Sequence, residues 1–480
     1  MVNASGESKR GGVAGSVQEW LGPGLLAAIL VVAVALRLYK LGSWPFEQDE
    51  LYTLHDAEVF GEYVNFLRPL YYFLQHLLLQ VLPATPLFLR LPPFVFGVLG
   101  VWLTWRLARR NFGVPAGLVA AFLASISAWH LYASQFARYW TLVYALAALL
   151  YIALPWAVDR DRRTAYGLAL LVIILGTLTH PTFVFPAVGF ILGVFLVSRE
   201  GRLGWQPPSR RAWLFLWGPL AAVGVTGFLF LFLRGSLSGL QGTRGLAAAL
   251  RLVPAMVQWA TPVVVTVALI GLLYLLGRPG PDRRWGLLST LGLASGLGLL
   301  LAAATSRSVY ADYAIAMLPL VYVTVGGVVQ RVGETLGTRS YGFVLAAAVV
   351  LAADVLPGTA SHLSDGTRFD YRPAYAYLER TAGDNLVLGW PDVIQRYYAP
   401  DLNFKLLRRD IGELDETLKQ TGGFWVVGSY RRYGMVLDNG RVSRWLDGNC
   451  RRVLRTERPR LDYRTYRVEL HWCGANPPQG

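Results

Sequence analysis

Long stretches without a charged residue recur along the chain and constrain its fold more than any other feature. Three of them are Leu25–Leu36, Phe215–Leu233 and Phe343–Ala353. Each lengthens with flanking apolar residues toward about 20, the number that crosses a hydrocarbon core. Only 16% of the 480 residues are charged and 54% are hydrophobic, whereas soluble domains have about 25% charged residues. The sequence therefore predicts a helical protein that crosses a membrane many times.

Eleven apolar segments have the length and composition of membrane spans. They lie at about 22–40, 91–108, 113–132, 140–157, 164–179, 182–198, 212–233, 254–277, 285–305, 310–330 and 341–357. The first follows Lys9 and Arg10 with no evident small-residue cleavage site, so we expect it to be retained as a helix. The segment Pro69–Leu82 is short for a span and contains polar residues, so we place it at the membrane interface.

The loops between these segments predict how the chain is oriented. Arginine clusters occupy alternate loops, and loops rich in basic residues mark the cytoplasmic side. The clusters are Arg106/Arg109/Arg110, Arg160/Arg162/Arg163, Arg199/Arg202/Arg210/Arg211, Arg278/Arg283/Arg284 and Arg331/Arg339. We therefore expect the amino terminus in the cytoplasm and the carboxyl terminus outside it. The net charge of +15 is spread over short loops, which does not favour a nucleic-acid partner.

Composition divides the chain into three parts. Residues 1–20 are predicted to be a cytoplasmic tail, and residues 21–357 an all-α polytopic membrane domain with about 11 transmembrane helices. Residues 358–480 are predicted to be a small extracytoplasmic α/β domain, and residues 41–90 the first extracytoplasmic loop. In the C-terminal part we predict helices at Arg372–Thr381 and Asp392–Tyr398 and strands at Asn385–Gly389, Phe424–Gly428 and Tyr463–Trp472.

Both cysteines, Cys450 and Cys473, lie in this polar C-terminal part. An extracytoplasmic domain with two cysteines favours one disulfide, because that compartment is oxidising. Two free thiols are the alternative.

The most informative polar residues are the adjacent carboxylates Asp49 and Glu50, which follow the first span in a loop expected outside the cytoplasm. An aspartate in this position can act as a general base toward an acceptor hydroxyl. The pair can instead bind a divalent cation through its oxygen atoms. A third interpretation is a solvated acidic loop that caps a helix at Leu51–Phe60.

Further candidate residues fall at the same outer surface. They are Arg138 with Tyr139, His180, and Arg307 with Tyr310 and Asp312. The planar guanidinium of Arg138 suits a phosphate, or it anchors the chain at the interface. His180 can orient a substrate or transfer a proton, or it is a polar residue of a solvated turn. Arg307 and Asp312 provide a second phosphate or sugar contact, or they form a single ion pair.

Several motifs that would indicate other chemistry are absent from the sequence. There is no phosphate-binding loop, no dinucleotide fingerprint on a strand, no HExxH motif and no zinc-type spacing of cysteine and histidine. A reaction fed by a nucleotide is therefore not favoured at the outer face.

The polar motifs follow one another in a distinctive order along the chain. After the Asp-Glu pair come Arg68-Pro-Leu-Tyr-Tyr, Leu89-Arg90-Leu-Pro-Pro-Phe, Tyr132-Ala-Ser-Gln-Phe-Ala-Arg138-Tyr139, Thr179-His180-Pro181, Tyr310-Ala-Asp-Tyr and Asp370-Tyr-Arg-Pro. This order resembles the GT-C membrane glycosyltransferases, in the branch of protein-O-mannosyltransferase-like and aminoarabinose-transferase-like enzymes. The likeness extends over nearly the whole chain.

The resemblance implies a GT-C fold, a sugar donor carried on a polyprenyl phosphate and an acceptor outside the cytoplasm. It assigns Asp49 as the general base, with Glu50 beside it in the catalytic site, and Arg138 as a contact to the donor phosphate. The other substrate-binding residues that it implies are Tyr71, Tyr139, His180, Tyr310 and Asp312.

The chain departs from the family at one motif. Asp312-Tyr313 stands where many relatives have Arg-Tyr, and the nearby Arg307 is the candidate to replace that charge.

The sequence thus predicts a multi-pass membrane glycosyltransferase that moves a hexose or pentose to a protein, a lipid or a cell-envelope glycan, with inversion at the anomeric carbon. A transporter or flippase of lipid-linked sugars is the alternative, for which polar residues near the bilayer midplane are typical. Here the ionisable residues gather at one face, which favours the enzyme. The active site and the C-terminal domain are expected on the extracytoplasmic side of the cell membrane.

Overall fold

The computed structural model describes residues 12–62, 68–221, 245–306, 309–337, 340–408, 410–431, 434–435, 440–458 and 466–477. Within these ranges the chain forms a large helical domain followed by a small domain built around one sheet. This is the predicted architecture. Arg307 and residues 222–233 of a predicted span lie outside the described residues.

The helical domain accounts for most of the chain. Helices α1 to α9 are Gly12–Leu38, Gln48–Glu58, Pro69–Leu79, Pro86–Leu89, Leu91–Phe112, Val114–Ile126, Ala128–Ser134, Trp140–Arg160 and Arg163–Thr179. Helices α10 to α17 are Val184–Leu196, Arg210–Ala212, Gly245–Leu250, Leu252–Ala260, Pro262–Gly277, Pro281–Ser306, Leu318–Thr335 and Ser340–Asp365. Short 3₁₀ helices lie at Pro181–Phe183 and Ala311–Met317, and a π-helical turn lies at Trp213–Trp217.

Five helical segments among the described residues are long and apolar enough to cross a membrane, and two bent pairs of helices raise this number to seven. The five are Pro86–Phe112, Trp140–Arg160, Pro281–Thr305, Ala311–Thr335 and Gly342–Asp365. Shorter apolar helices lie at Gly22–Leu38, Arg163–Thr179 and Pro181–Leu196. The protein is therefore a multi-pass membrane protein, but the described residues do not confirm the predicted number of eleven spans.

Bends divide two of the predicted spans into pairs of helices. The span predicted at 254–277 is α13 followed by α14, with an angle of 98° between them. A carboxylate from another helix holds this bend, because Oδ2 of Asp354 accepts hydrogen bonds from the backbone N–H groups of Val263 and Val264 at 3.1 and 3.3 Å. The first N–H groups of a helix have no acceptor within the helix, so at the start of α14 they need a partner from elsewhere. The span predicted at 113–132 is α6 followed by α7, bent by 61°.

The last membrane helix, α17, runs to Asp365, so the domain boundary predicted at residue 358 falls within a helix. The helix ends at Gly366, whose φ is +72°. A Cβ atom there would lie 2.7 Å from the ring of Trp44. Glycine is required at this position for two reasons. A residue with a Cβ atom is strained at this positive φ, and its Cβ atom would also clash with Trp44. The turn carries Arg368 into the protein interior, where it is fully buried.

The C-terminal domain contains a mixed sheet with helices on both faces. Its strands β1 to β6 are Val387–Trp390, Phe404–Leu406, Gly423–Arg431, Gly434–Met435, Arg451–Arg458 and Tyr466–Gly474, and its helices α18 to α21 are Arg372–Thr381, Asp392–Tyr398, Ile411–Thr421 and Arg441–Asn449. The strand order is β2-β1-β3-β6-β5, with β4 paired to β3. Strand β1 is parallel to β2 and β3, whereas β6 is antiparallel to β3 and β5. The three predicted strands correspond to β1, β3 and β6.

One face of this sheet shares its apolar core with the loop that follows the first span. Phe46, Leu51 and Leu54, from that loop, are buried in one cluster with Ile394 of α19 and Trp425 of β3. Fully burying a large apolar side chain contributes about 1.5–3 kcal/mol. The C-terminal domain is therefore held against helix α2, which carries the two carboxylates.

Cys450, at the end of α21, and Cys473, in β6, form a disulfide in the structure. This is the pairing that the sequence favours, and its two residues are separated by 23 positions.

We expect both cysteines to resist a membrane-impermeant maleimide until a reductant is added, because the bond consumes both thiols. Loss of the bond in the Cys450→Ser variant is expected to destabilise the domain by about 3 kcal/mol, as the chain entropy of a loop of this length implies. Mass spectrometry after labelling with and without reductant, and thermal unfolding, measure the two effects. Labelling of the native protein without reductant would show that the thiols are free.

Candidate active site

Helix α2 organises the loop after the first span and begins at the two carboxylates. The backbone N–H of Glu47 donates to Oε2 of Glu50 at 3.2 Å, as in a capping box. Acidic residues suit this first turn because the helix dipole places partial positive charge there. The side chains of Asp49 and Glu50 leave the turn in different directions, since the first is 56% exposed and the second is fully buried.

Glu50 lies between two buried arginines. Its Oε1 accepts a hydrogen bond from Nε of Arg90 at 2.7 Å, and its Oε2 accepts one from Nη2 of Arg90 at 2.8 Å, which is a bidentate pair. Nη1 of Arg368 lies 3.2 Å from Oε2. The backbone N–H of Ala137 donates to Oε1 at 2.8 Å. We call Glu50, Arg90 and Arg368 the buried charge cluster.

The buried charge cluster also orders the chain before α2. Arg90 donates to the backbone carbonyls of Leu41 at 2.8 Å and Pro45 at 3.0 Å. Arg368 donates from Nη2 to the carbonyl of Gln135 at 3.1 Å. The guanidinium N–H groups thus pair with backbone carbonyl groups in irregular segments. In a helix or a strand, backbone N–H groups would pair with such carbonyls instead.

The geometry does not fit the catalytic role that the sequence predicts for Glu50. Both carboxylate oxygens are occupied by arginines, so Glu50 cannot bind a substrate or join Asp49 in holding a metal. Burial raises the pKa of Glu50, but Arg90 and Arg368 more than offset this effect, and the pKa is lowered from its ordinary value. Glu50 is therefore ionised, and it positions α2. Among the described residues, no group of three or more Asp, Glu, His or Cys side chains is arranged to hold a metal.

Asp49 faces away from the buried charge cluster and lines an open cavity. Its Oδ1 lies 3.7 Å from Nη2 of Arg138. Nη1 of Arg138 donates to the backbone carbonyl of Asp49 at 3.1 Å, to Oγ1 of Thr53 at 3.2 Å and to the hydroxyl of Tyr72 at 3.4 Å. Hydrogen bonds to α2 and α3 thus hold Arg138, whereas its contact with the carboxylate of Asp49 is long.

The cavity beside Asp49 has a volume of about 410 Å³, a size typical of small-ligand sites. Its charged lining side chains are Glu47, Asp49, Asp56, Asp312, Arg68 and Arg138. Every other described residue in the lining is aromatic. The site therefore combines a few charged groups with aromatic walls.

Two arginines flank one aromatic ring in this cavity. The guanidinium carbon of Arg68 lies 4.9 Å from the centre of the Tyr139 ring, and that of Arg138 lies 5.1 Å from it. The Nε atoms of both arginines are buried and have no hydrogen-bond partner among the described residues. Two guanidinium groups with unused donors are suited to an anionic ligand with several oxygen atoms, such as a phosphate.

Arg68 and Tyr72 belong to this site but were not selected from the sequence. Tyr71 was predicted instead, yet it is fully buried outside the cavity, and its hydroxyl accepts a hydrogen bond from Nε2 of Gln75 at 2.8 Å. Neighbouring residues of a helix point about 100° apart, and here Tyr72 faces the cavity while Tyr71 points away from it. A sequence signal for Arg68 did exist, since it is the single arginine in an acidic loop.

His180 lies behind Tyr139 and does not line the cavity. The two rings are stacked with their centres 4.5 Å apart, and the backbone N–H of Thr182 donates to Nδ1 of His180 at 3.2 Å. Burial lowers the pKa of His180, and the charges of Arg68 and Arg138 lower it further. The imidazole is therefore neutral at physiological pH and supports the Tyr139 ring.

Tyr310 and Asp312, two of the predicted substrate-binding residues, line the cavity. Tyr313 stacks beside Tyr310, with ring centres 6.4 Å apart, and also lines it. The expected contribution of Arg307 lies outside the described residues and stays a prediction. A second positive charge is nevertheless present in the cavity, because Arg68 supplies it.

Comparison with known proteins agrees with the order of the motifs. A family model described as dolichyl-phosphate-mannose-protein mannosyltransferase matches residues 68–223. This range contains Arg68, Arg90, Arg138 and His180. No curated protein matches the sequence.

Solved structures share the fold. ArnT from Cupriavidus metallidurans in the apo state matches with a TM-score of 0.54 at 14% identity, covering 95% of this chain and 98% of that chain. ArnT bound to undecaprenyl phosphate matches with a TM-score of 0.50 at 15% identity and the same coverage. The archaeal oligosaccharyltransferase AglB from Archaeoglobus fulgidus, in complex with an inhibitory peptide and a dolichol-phosphate, matches with a TM-score of 0.50 at 14% identity, covering 88% and 75%. These comparisons confirm the resemblance to the GT-C superfamily.

We expect Glu50→Gln to destabilise the protein by about 3–5 kcal/mol, because it leaves two buried arginines without their carboxylate. Glu62→Gln is the matched control, since Glu62 is an exposed carboxylate of the same loop, and its effect is expected to stay within about 0.5 kcal/mol. Thermal unfolding of the purified variants in detergent measures the difference. Equal stability of the two variants would show that the buried charge cluster does not hold the fold.

Proposed function

We propose that the protein is an integral-membrane glycosyltransferase that transfers a sugar from a polyprenyl-phosphate-linked donor to an extracytoplasmic acceptor, with Asp49 as the general base. The observation that carries this proposal is that Asp49, Arg68 and Arg138 line one cavity. A carboxylate and two guanidinium groups supply what such a transfer needs, namely removal of a proton from one substrate and stabilisation of charge on the other.

The donor phosphate is expected to bind between Arg68 and Arg138. When the lipid phosphate leaves the anomeric carbon, negative charge grows on its oxygen atoms, and guanidinium groups already in position stabilise that charge. The unused Nε donors of both arginines support this assignment, as does the nearby hydroxyl of Tyr72. The aromatic side chains of the cavity wall lie beside these two guanidinium groups.

Asp49 is expected to accept the proton of the attacking hydroxyl. The hydroxyl oxygen forms a bond to the anomeric carbon while the bond from that carbon to the phosphate oxygen breaks, and the proton passes to the carboxylate. A direct displacement of this kind inverts the anomeric carbon. The contact of 3.7 Å between Asp49 and Arg138 is long, so a bound phosphate can draw the guanidinium toward itself and leave the carboxylate available as a base.

Known proteins of the same fold support a lipid phosphate as the sugar carrier. One matched structure of ArnT contains undecaprenyl phosphate, and the matched structure of AglB contains a dolichol-phosphate. The family model that matches residues 68–223 is also described by a dolichyl-phosphate sugar. A polyprenyl-type phosphate is common to all three, and we propose the same class of carrier for this protein.

The predicted orientation is consistent with a lipid-linked donor. The basic loops predict that α2 and the C-terminal domain lie outside the cytoplasm. A sugar donor that reaches this side from the bilayer needs no nucleotide-binding motif, and the sequence contains none of the common ones.

We expect Asp49→Asn to lower the rate of transfer at least about 100-fold, because a general base contributes about 10²- to 10⁴-fold. Donor binding should stay intact, since asparagine keeps the shape of the side chain. Purified protein in nanodiscs is assayed with radiolabelled polyprenyl-phosphate sugars and extracted envelope acceptors, with Glu62→Gln as the control that retains the wild-type rate. A wild-type rate in Asp49→Asn would remove Asp49 as the base.

Arg68→Ala and Arg138→Ala are each expected to weaken binding of a polyprenyl phosphate about tenfold or more, the effect of one lost charge-assisted hydrogen bond. Arg138→Lys should have an intermediate effect, because an ammonium group cannot form the planar fork. Arg380→Ala, at an exposed position of α18, is the control. Calorimetric titration with the lipid phosphate measures the affinities, and unchanged affinity in both alanine variants would place the phosphate elsewhere.

A further inference from the structure

A second cavity lies between α2 and α19 of the C-terminal domain, and the transfer chemistry described above does not use it. Its volume is about 350 Å³, again a size typical of small-ligand sites. The polar side chains that line it are Tyr52, His55, Glu58, Asp392, Arg396 and Tyr397. Both the membrane domain and the C-terminal domain therefore contribute to it.

Tyr52 joins this second cavity to the cavity of Asp49, because its side chain lines both. It follows Asp49 by about one helical turn on α2, and it is 36% exposed. Burial raises the pKa of Tyr52, and the carboxylates of Asp392 on one side and Asp49 on the other also raise it. The side chain of Tyr52 thus forms part of the wall of both cavities.

The chemistry of the second cavity suits a neutral ligand that is rich in hydroxyl groups. Tyr52 and Tyr397 are 36% and 39% exposed, and each offers an apolar ring face beside a polar hydroxyl. Sugar rings have the same combination of C–H faces and hydroxyl groups. The side chains of Glu58, Asp392 and Arg396 supply hydrogen-bond acceptors and donors.

The charge of this cavity argues against a phosphorylated acceptor. Arg396 forms an ion pair with Asp392 at 2.5 Å, so its charge is already balanced within the cavity. Glu58 adds a negative charge. An anionic ligand would meet like charge there, which disfavours its binding.

The geometry points to the second cavity as the acceptor subsite and to a neutral carbohydrate chain as the acceptor. One sugar ring packs on Tyr397 and Tyr52, and the hydroxyl that receives the transferred sugar extends past Tyr52 to Asp49. That hydroxyl oxygen forms the new bond to the anomeric carbon, the bond from this carbon to the phosphate oxygen breaks, and Asp49 takes the proton.

The placement of the sheet disfavours a peptide bound by strand addition. Extended peptides commonly bind by pairing with an exposed sheet edge. The edge strand β2 does not contribute to the second cavity, whose described lining comes from α2 and α19. Side-chain contacts therefore dominate recognition here.

The test compares variants of the second cavity. Tyr397→Ala and Glu58→Gln remove a ring face and a hydrogen-bonding group, Tyr397→Trp keeps an aromatic face, and Glu379→Gln changes an exposed carboxylate of α18 as the control. Purified protein in nanodiscs receives a radiolabelled polyprenyl-phosphate sugar and, as the acceptor probe, delipidated and protease-treated envelope polysaccharide. Hydrolysis of the same donor by water, without polysaccharide, is measured in parallel.

We expect the KM for polysaccharide to rise about tenfold in Tyr397→Ala and Glu58→Gln and to stay near the wild-type value in Tyr397→Trp and Glu379→Gln. Hydrolysis of the donor should be the same in all of them, because the donor site is unchanged. The assignment of the acceptor subsite rests on the proposed function. Measuring donor hydrolysis separates failure of the acceptor subsite from failure of the proposed function. If the wild type neither hydrolyses nor transfers the sugar, both proposals fail. Normal hydrolysis with an unchanged KM in both variants, or normal hydrolysis without any transfer to the polysaccharide, overturns the acceptor subsite alone.

Discussion

The fold of the site depends on one buried carboxylate, Glu50, held between the guanidinium groups of Arg90 and Arg368. The three side chains come from α2, from the start of α5 and from the turn after α17. Removing ionised groups from water is costly, so such a cluster persists only where every partner is in place. Its geometry therefore determines how α2 is rotated, and that rotation turns Asp49 toward the cavity.

The same cluster couples the C-terminal domain to the membrane domain. Arg368 immediately follows the last membrane helix, and the backbone N–H of the next residue, Phe369, donates to Oε1 of Glu47 at 2.8 Å. The hydroxyl of Tyr398, in α19, accepts from the N–H of Phe46 at 2.8 Å. These contacts surround the start of α2, so the C-terminal domain is part of the scaffold that presents Asp49. They also create the second cavity, because α19 comes to rest beside α2.

Local patterns in the sequence predicted much of the fold. The bounds of α18 and α19 and the existence of β1, β3 and β6 followed from apolar periodicity and turn residues, which act over short distances. The sequence did not indicate the bend within the span predicted at 254–277, where Asp354 caps α14 from 91 positions away. No local pattern encodes such a contact.

The candidate site shows the same limit. The sequence identified the carboxylate pair, but it did not indicate which member faces the cavity, since that depends on Arg368, 318 positions later. It selected Tyr71 where the helix presents Tyr72, because a rotation of one residue about α3 cannot be read without its packing partners. Motifs thus located the segments of the site, whereas long-range contacts decided which side chains enter it.

The most direct test of the central claim is an experimental structure of the protein in nanodiscs with a polyprenyl phosphate bound. We expect phosphate oxygen atoms within hydrogen-bond distance, about 2.7–3.2 Å, of the guanidinium groups of Arg68 and Arg138, with Asp49 facing the same cavity and Glu50 buried behind it. A phosphate bound away from both arginines, or a map in which Glu50 faces the ligand and Asp49 does not, would contradict it.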